Sequence, residues 1–131
     1  MHKFFVYGTL KVGGYFAKYF DGMRKTSKIG KLENFDLFRI GNVKASWFPG
    51  IVPGDGTVTG EIHEYLDEEE VLDAMDRIEG YNSINPKFSL YTREIREIEL
   101  EDGTTEKAYV YVYNREVHDY FDKIEDGVWE I

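Results

Sequence analysis

The strongest constraint on the fold is a hairpin signal in the second half of the chain. Tyr91 to Leu100 and Lys107 to Tyr113 both read as strands, and the segment between them, Glu101-Asp102-Gly103-Thr104, carries the Asp-Gly pair that favours a tight turn. In the second strand Ala108, Val110 and Val112 take one face and Tyr109, Tyr111 and Tyr113 the other. The tyrosine face either lines a pocket or packs on the sheet through cross-strand aromatic pairs. In the first strand the alternation breaks between Ile95 and Ile98, which predicts a bulge.

Other segments add strands around this hairpin. Phe4 to Tyr7 is a short apolar run ending at Gly8, the pattern of a buried strand meeting a turn. Lys28 to Ile40 is strand-like but irregular, with Phe35 and Leu37 on one face and Phe38 and Ile40 on the other. Thr57 to Tyr65 alternates cleanly. Between them, Trp47 to Gly56 holds two Pro-Gly pairs and an Asp-Gly, which predicts a loop with one brief extended piece. Helices are few. Tyr15, Phe16, Tyr19 and Phe20 mark one apolar face of a short helix that Asp21-Gly22 stops. Asp67 is an N-cap for a helix running to Gly80, with Glu70 as its capping-box partner. The tail from Glu116 to Ile131 predicts a weak closing helix. Mixed strands with hairpin-like connections give an α+β class with an antiparallel or barrel-like sheet.

With 131 residues, 42% of them hydrophobic, and no linker or repeat, one domain over 1–131 is expected. The net charge is −9, and it is unevenly placed: residues 1 to 60 carry 9 Lys/Arg against 4 Asp/Glu, residues 61 to 131 carry 7 against 21. Without a basic cluster there is no electrostatic footprint for nucleic acid. Cysteine is absent, which removes disulfides, thiolate nucleophiles and Cys-based metal sites. His2, His63 and His118 lack ligand spacing, so no metal is expected. The apolar stretch at the N-terminus is too short for a signal sequence or a membrane span, which predicts a cytoplasmic protein. Ten Tyr and nine Phe in so small a chain suggest an aromatic-lined cavity.

Glu79 is the most informative position. On a helical wheel it falls inside the arc of Val71, Leu72, Met75 and Ile78, so a carboxylate sits on the apolar face. It also lies in the last turn before Gly80, at the negative end of the helix dipole. Both effects disfavour its charge and raise its pKa, as at a functional site, unless the side chain reaches solvent or a partner such as Arg93. Tyr7-Gly8-Thr9-Leu10 could cup an anion with successive N–H groups, or could be an ordinary turn. Tyr91 and Arg93 share a strand face, so Arg93 is a candidate for binding a carboxylate, or it pairs with one of the many acids nearby.

The ordered set Phe5-Val6-Tyr7-Gly8-Thr9-Leu10, Phe48-Pro49-Gly50-Ile51, Val58-Thr59-Gly60-Glu61-Ile62, Leu72-Asp73 with Ile78-Glu79-Gly80-Tyr81, Tyr91-Thr92-Arg93 and Ala108-Tyr109-Val110-Tyr111 resembles the γ-glutamylcyclotransferase-like family, nearest its AIG2-like and γ-glutamylamine cyclotransferase branch. The resemblance implies a small β-barrel flanked by short helices. It also implies substrate binding by Tyr7, Gly8, Thr9 and Leu10, acid/base catalysis by Glu79, and a pocket tyrosine at Tyr111 or Tyr113. The implied reaction needs no cofactor. The α-amine of a γ-glutamylamine or γ-glutamyl amino acid attacks its own γ-carbonyl, giving 5-oxoproline and a free amine, and ring closure itself brings the reactants together. A non-catalytic binding protein that kept the pocket is the alternative, because fold alone does not imply activity.

Overall fold

The computed structural model of the protein describes residues 2–41 and 47–131. Six strands and one α-helix make up its regular structure: β1 (Phe4–Val6), β2 (Arg24–Ile40), β3 (Phe48–Tyr65), α1 (Glu68–Glu79), β4 (Tyr91–Leu100), β5 (Thr105–Tyr113) and β6 (Asp122–Ile124), with single 3-10 turns between some of them. The strand order β3-β1-β5-β4-β2 closes on itself, because β2 also pairs with β3, and β6 adds to the far end of β2. Closure removes most free sheet edges. The barrel is mixed: β1 meets β5 in parallel at Phe4 and Tyr109, and the other pairs are antiparallel.

Two apolar clusters follow from the alternation. Phe5, Leu37, Ile51, Val58, Ile98 and Val110 fill the barrel. Phe4, Val6, Val71, Met75, Tyr91 and Tyr111 form a second layer between the barrel wall and α1. The short β1 run serves both layers, Phe5 inward and Phe4 and Val6 outward, which explains why it does not alternate in polarity. Each fully buried side chain of this size, such as Met75, contributes about 1.5–3 kcal/mol.

The hairpin forms as the Asp-Gly signal requires, with Asp102 Oδ1 accepting from the Thr104 N–H at 3.0 Å. Asp67 caps α1 by accepting from Glu70 N–H at 3.4 Å. Gly80 ends the helix in the left-handed region at φ 65°, where a side chain would be strained.

Four expectations need correction. The segment from Phe48 to Gly56 is not a loop but the first half of β3: Phe48 to Pro53 pair one-to-one with Ile40 to Phe35 of β2, and Gly54-Asp55-Gly56 form a bulge opposite Asn34 before pairing resumes at Thr57 and Glu33. Its turn residues are tolerated for a geometric reason. Pro49 and Pro53 have the same parity, and a proline is accommodated in a strand where its nitrogen faces away from the partner; the Pro49 carbonyl also accepts from the Tyr91 hydroxyl. A missing N–H there costs no ladder bond. Asp36 further secures the strand by accepting from Gly56 N–H at 2.9 Å. No bulge separates Ile95 from Ile98, since β4 pairs with β5 without a shift; Ile95 simply stands on the outer face, exposed. The tail forms β6 on β2, not a helix, so pairing to an open strand edge wins over weak helical periodicity. Finally, Tyr15 to Phe20 is not one α-helix: it gives a 3-10 turn at Ala17–Tyr19, followed by another at Asp21–Met23 where a stop was expected. With three residues per turn the expected face breaks up, so Ala17 and Phe20 are buried while Tyr15 and Tyr19 are exposed.

Candidate active site

The end of β1 and the end of α1 meet across a cavity of about 190 Å³ beside the barrel wall. On one side lies the loop from Tyr7 to Leu10. Gly8 passes so close to Pro49 that an added Cβ would stand 2.3 Å from its Cγ, so only glycine fits. The loop folds back on itself: the Gly8 carbonyl accepts from Lys11 N–H at 3.0 Å and the Thr9 carbonyl from Phe16 N–H at 2.9 Å. The N–H groups of Gly8, Thr9 and Leu10 find no main-chain or side-chain acceptor among the described residues, although Gly8 and Leu10 are buried. Successive free donors of this kind make an anion-binding concavity.

Two anchors hold the loop beyond Leu10. Lys11 Nζ donates to the Trp129 carbonyl at 2.6 Å, and Val12 N–H donates to Glu61 Oε1 at 2.9 Å. Glu61 in turn bonds His63 Nε2 at 2.8 Å, and His63, wholly buried, reaches the Tyr65 hydroxyl at 2.7 Å through Nδ1. Burial works against the Glu61 charge, but the His63 and Val12 bonds outweigh it and hold the carboxyl below its ordinary range.

On the other side stands Glu79. Val71, Leu72 and Met75 are buried as the wheel predicts, whereas Ile78 is 36% exposed at the cavity rim. Glu79 lines the cavity and keeps partial exposure through it, yet its carboxyl is packed about by protein, and burial raises its pKa to about 8. It is not paired with Arg93. Arg93 donates to Asp76 Oδ2 at 2.6 Å and lies over the rings of Tyr81 and Tyr109, outside the cavity lining. Asp76, one turn before Glu79, also accepts from the Tyr111 hydroxyl at 2.6 Å. These bonds pin the last turn of α1 to β4 and β5.

Of the residues expected from sequence, Tyr7, Gly8, Thr9, Leu10, Glu79 and Tyr111 line one cavity. Arg93 and Tyr113 do not. Arg93 is committed to Asp76, and Tyr113 packs against Phe48, Tyr91 and Phe121 at the far side of the tyrosine face. Sequence reading missed Tyr91, Phe16, Phe48 and Leu90 as lining residues. Tyr91 could have been found from the hairpin register, which sets it opposite Tyr113 on the tyrosine face. Burial raises the hydroxyl pKa of Tyr7, Tyr91 and Tyr111, so all three stay protonated. Among the described residues no three His, Asp or Glu side chains converge to hold a metal ion. No helix among them is long and apolar enough to cross a membrane.

A small mixed barrel whose glycine loop faces a desolvated helix-end carboxyl is the arrangement expected of a γ-glutamylcyclotransferase-like protein. The chain belongs to the γ-glutamyl cyclotransferase, AIG2-like family, whose sequence pattern matches residues 4–131. It is 32% identical over 98 residues to the γ-glutamylcyclotransferase family protein YtfP of Escherichia coli, an alignment covering 75% of this chain and 70% of that one. The solution structure of the E. coli protein superposes with a TM-score of 0.60 at 27% identity, covering 97% of this chain and 95% of that chain. YkqA of Bacillus subtilis shares the fold, with a TM-score of 0.70 at 23% identity over 98% of this chain and 39% of its own.

Proposed function

We propose that the protein is a cofactor-independent γ-glutamyl cyclotransferase acting on a small γ-glutamylamine or γ-glutamyl amino acid, with Glu79 as the proton-transferring group. The observation that carries this reading is the Glu79 carboxyl, raised to about 8 and facing the free N–H groups of the Gly8–Leu10 loop.

The substrate must present a free α-amine to its own γ-carbonyl. An α-ammonium has a pKa of about 8, so moving its proton to an ordinary glutamate near 4.3 would cost roughly 5 kcal/mol. With Glu79 near 8 the two groups match, and the transfer costs little. In the proposed sequence Glu79 takes one proton from the α-ammonium, the resulting amine nitrogen attacks the γ-carbonyl carbon, and the bond from that carbon to the leaving nitrogen breaks as Glu79 passes its proton to that nitrogen; the ring nitrogen then gives its remaining extra proton to the departing amine through Glu79, which leaves a neutral lactam and an ammonium product. The products are 5-oxoproline and an amine or amino acid. The loop N–H groups hold the α-carboxylate or the developing oxyanion. No protein nucleophile is needed, because attack within one molecule is already favoured.

The test is to incubate the protein and its Glu79→Gln variant with a panel of γ-glutamyl compounds and detect 5-oxoproline by mass. Turnover by the parent and loss in the variant is expected. No turnover by either would leave the alternative, a ligand-binding protein of this fold, as the better reading.

A further inference from the structure

The cavity has an inner end and a mouth. Tyr7, Gly8 and Tyr111 are buried at the inner end, whereas Phe16, Phe48, Pro49, Ile78 and Leu90 keep some exposure, as do Thr9 and Glu79. The five apolar residues come from four separate segments. Phe16 precedes the 3-10 turn at Ala17–Tyr19, Phe48 and Pro49 start β3, Ile78 lies in the last turn of α1, and Leu90 is the residue before β4. Single exposed apolar side chains are ordinary, but a set converging on a cavity marks a binding surface. Ile78 is the clearest case. Core packing accounts for Val71, Leu72 and Met75 on the apolar face of α1, but Ile78 belongs to neither core cluster and stands at the cavity rim. Among the described residues no Lys, Arg or His lines the cavity. Lys11, Arg93 and Arg115, cations of adjoining segments, are committed to the Trp129 carbonyl, to Asp76, and to the Phe88 and Ser89 carbonyls.

A space of about 190 Å³ holds roughly six waters, and a γ-glutamyl head fills it. The group bonded to the γ-carbonyl therefore lies at the mouth, against Phe16, Phe48, Ile78 and Leu90. There an alkyl chain gains from burial, whereas a charged group loses water and meets no opposite charge. We propose that the mouth selects the leaving group and takes an uncharged, apolar amine. The substrate is then a γ-glutamyl alkylamide, and not a γ-glutamyl compound whose leaving part carries a carboxylate or a second ammonium. The specificity-determining side chains are those of Phe16, Phe48, Ile78 and Leu90. This rests on the cyclotransferase reading above and narrows it by excluding the γ-glutamyl amino acids.

The test measures kcat/KM of the wild-type protein for the γ-glutamyl amides of methylamine, propylamine and pentylamine and for two charged counterparts of the pentylamide. ε-(γ-Glutamyl)lysine carries an ammonium and a carboxylate at the end of that chain, and γ-glutamylnorleucine carries a carboxylate on its first carbon. The alkylamines and the lysine ε-amine are of similar basicity, so differences among them report the mouth and not the bond broken. Across the alkylamides kcat/KM should rise about two- to fourfold per methylene, and the pentylamide should exceed each charged counterpart by about tenfold or more. In Ile78→Ser and Phe16→Ala the ratio of pentylamide to methylamide should fall by about threefold or more; both rates are read in one protein, so a general loss of activity or folding cancels. A flat wild-type series, a charged counterpart used as well as the pentylamide, or a ratio unchanged in both variants overturns the proposal. If no compound releases 5-oxoproline, the cyclotransferase reading fails, and calorimetric titration with the same alkylamides decides the mouth. Affinity that rises with chain length keeps the apolar subsite; affinity that does not rise, or no binding, overturns it.

Discussion

The two sides of the cavity are built differently. The loop side is main chain: Gly8, Thr9 and Leu10 present N–H groups, and their shape depends on close approach to Pro49 and on the remote anchors Glu61 and Trp129. The helix side is side chain: Glu79, with Tyr91 held by the Pro49 carbonyl and Tyr111 by Asp76, to which Arg93 also donates. Backbone donors are fixed once the chain is folded and do not titrate. The helix side holds the group whose proton moves, so chemistry should fail there and binding should fail at the loop.

Glu79→Gln gives the sharpest break. It removes the only carboxyl among the described lining residues, and kcat should fall by roughly 10²–10⁴ with KM little changed. Gly8→Ala attacks the other side. Its Cβ would collide with Pro49, so the loop must shift, with a loss of about 1–3 kcal/mol in stability and a rise in KM of tenfold or more. A pure kcat effect from Gly8→Ala would erase the contrast between the two walls.

How much of this arrangement was readable in the sequence differs between the two sides as well. Glu79 stood out because a carboxylate broke two local rules at once, burial and dipole, and both rules act within one helix. The loop was readable from its residues as either an anion cup or an ordinary turn, and only the resemblance to the family favoured the cup, because its free N–H groups depend on Pro49, Glu61 and Trp129, far away in the chain. The strand from Phe48 to Gly56 was read as a loop for the same reason. Its turn chemistry is local, and the β2 partner that overrules it is not. Arg93 was visible as a paired or binding residue, but only the fold assigns it to Asp76.

Stability should register the helix side through pH. Glu79 is raised from 4.5 to about 8, so between those values the folded protein keeps a proton that the unfolded chain has lost. Stability contributed by the neutral acid is full below about pH 4.5, falls as pH rises, and is gone above about 8, a change of up to about 5 kcal/mol. Thermal unfolding followed from pH 5 to 8 should show this fall, and Glu79→Gln should flatten it. Smaller effects are expected at the supports. Asp76→Asn should lower kcat/KM several-fold at temperatures well below its Tm, and Glu61→Gln should raise KM by a few-fold while leaving kcat alone, since its bonds go to the Val12 anchor, His63 and Ser27 and none to the cavity. Exchanged signatures, KM for Asp76 and kcat for Glu61, would contradict the division of labour.

The central claim is that Glu79 is a carboxylic acid poised for proton exchange near neutral pH. Carbon-13 NMR of the protein labelled at glutamate side-chain carboxyls, with Glu79 assigned by its absence from the Gln variant, measures this directly. A midpoint near pH 8 is the predicted result, and a midpoint near 4.5 would contradict the account.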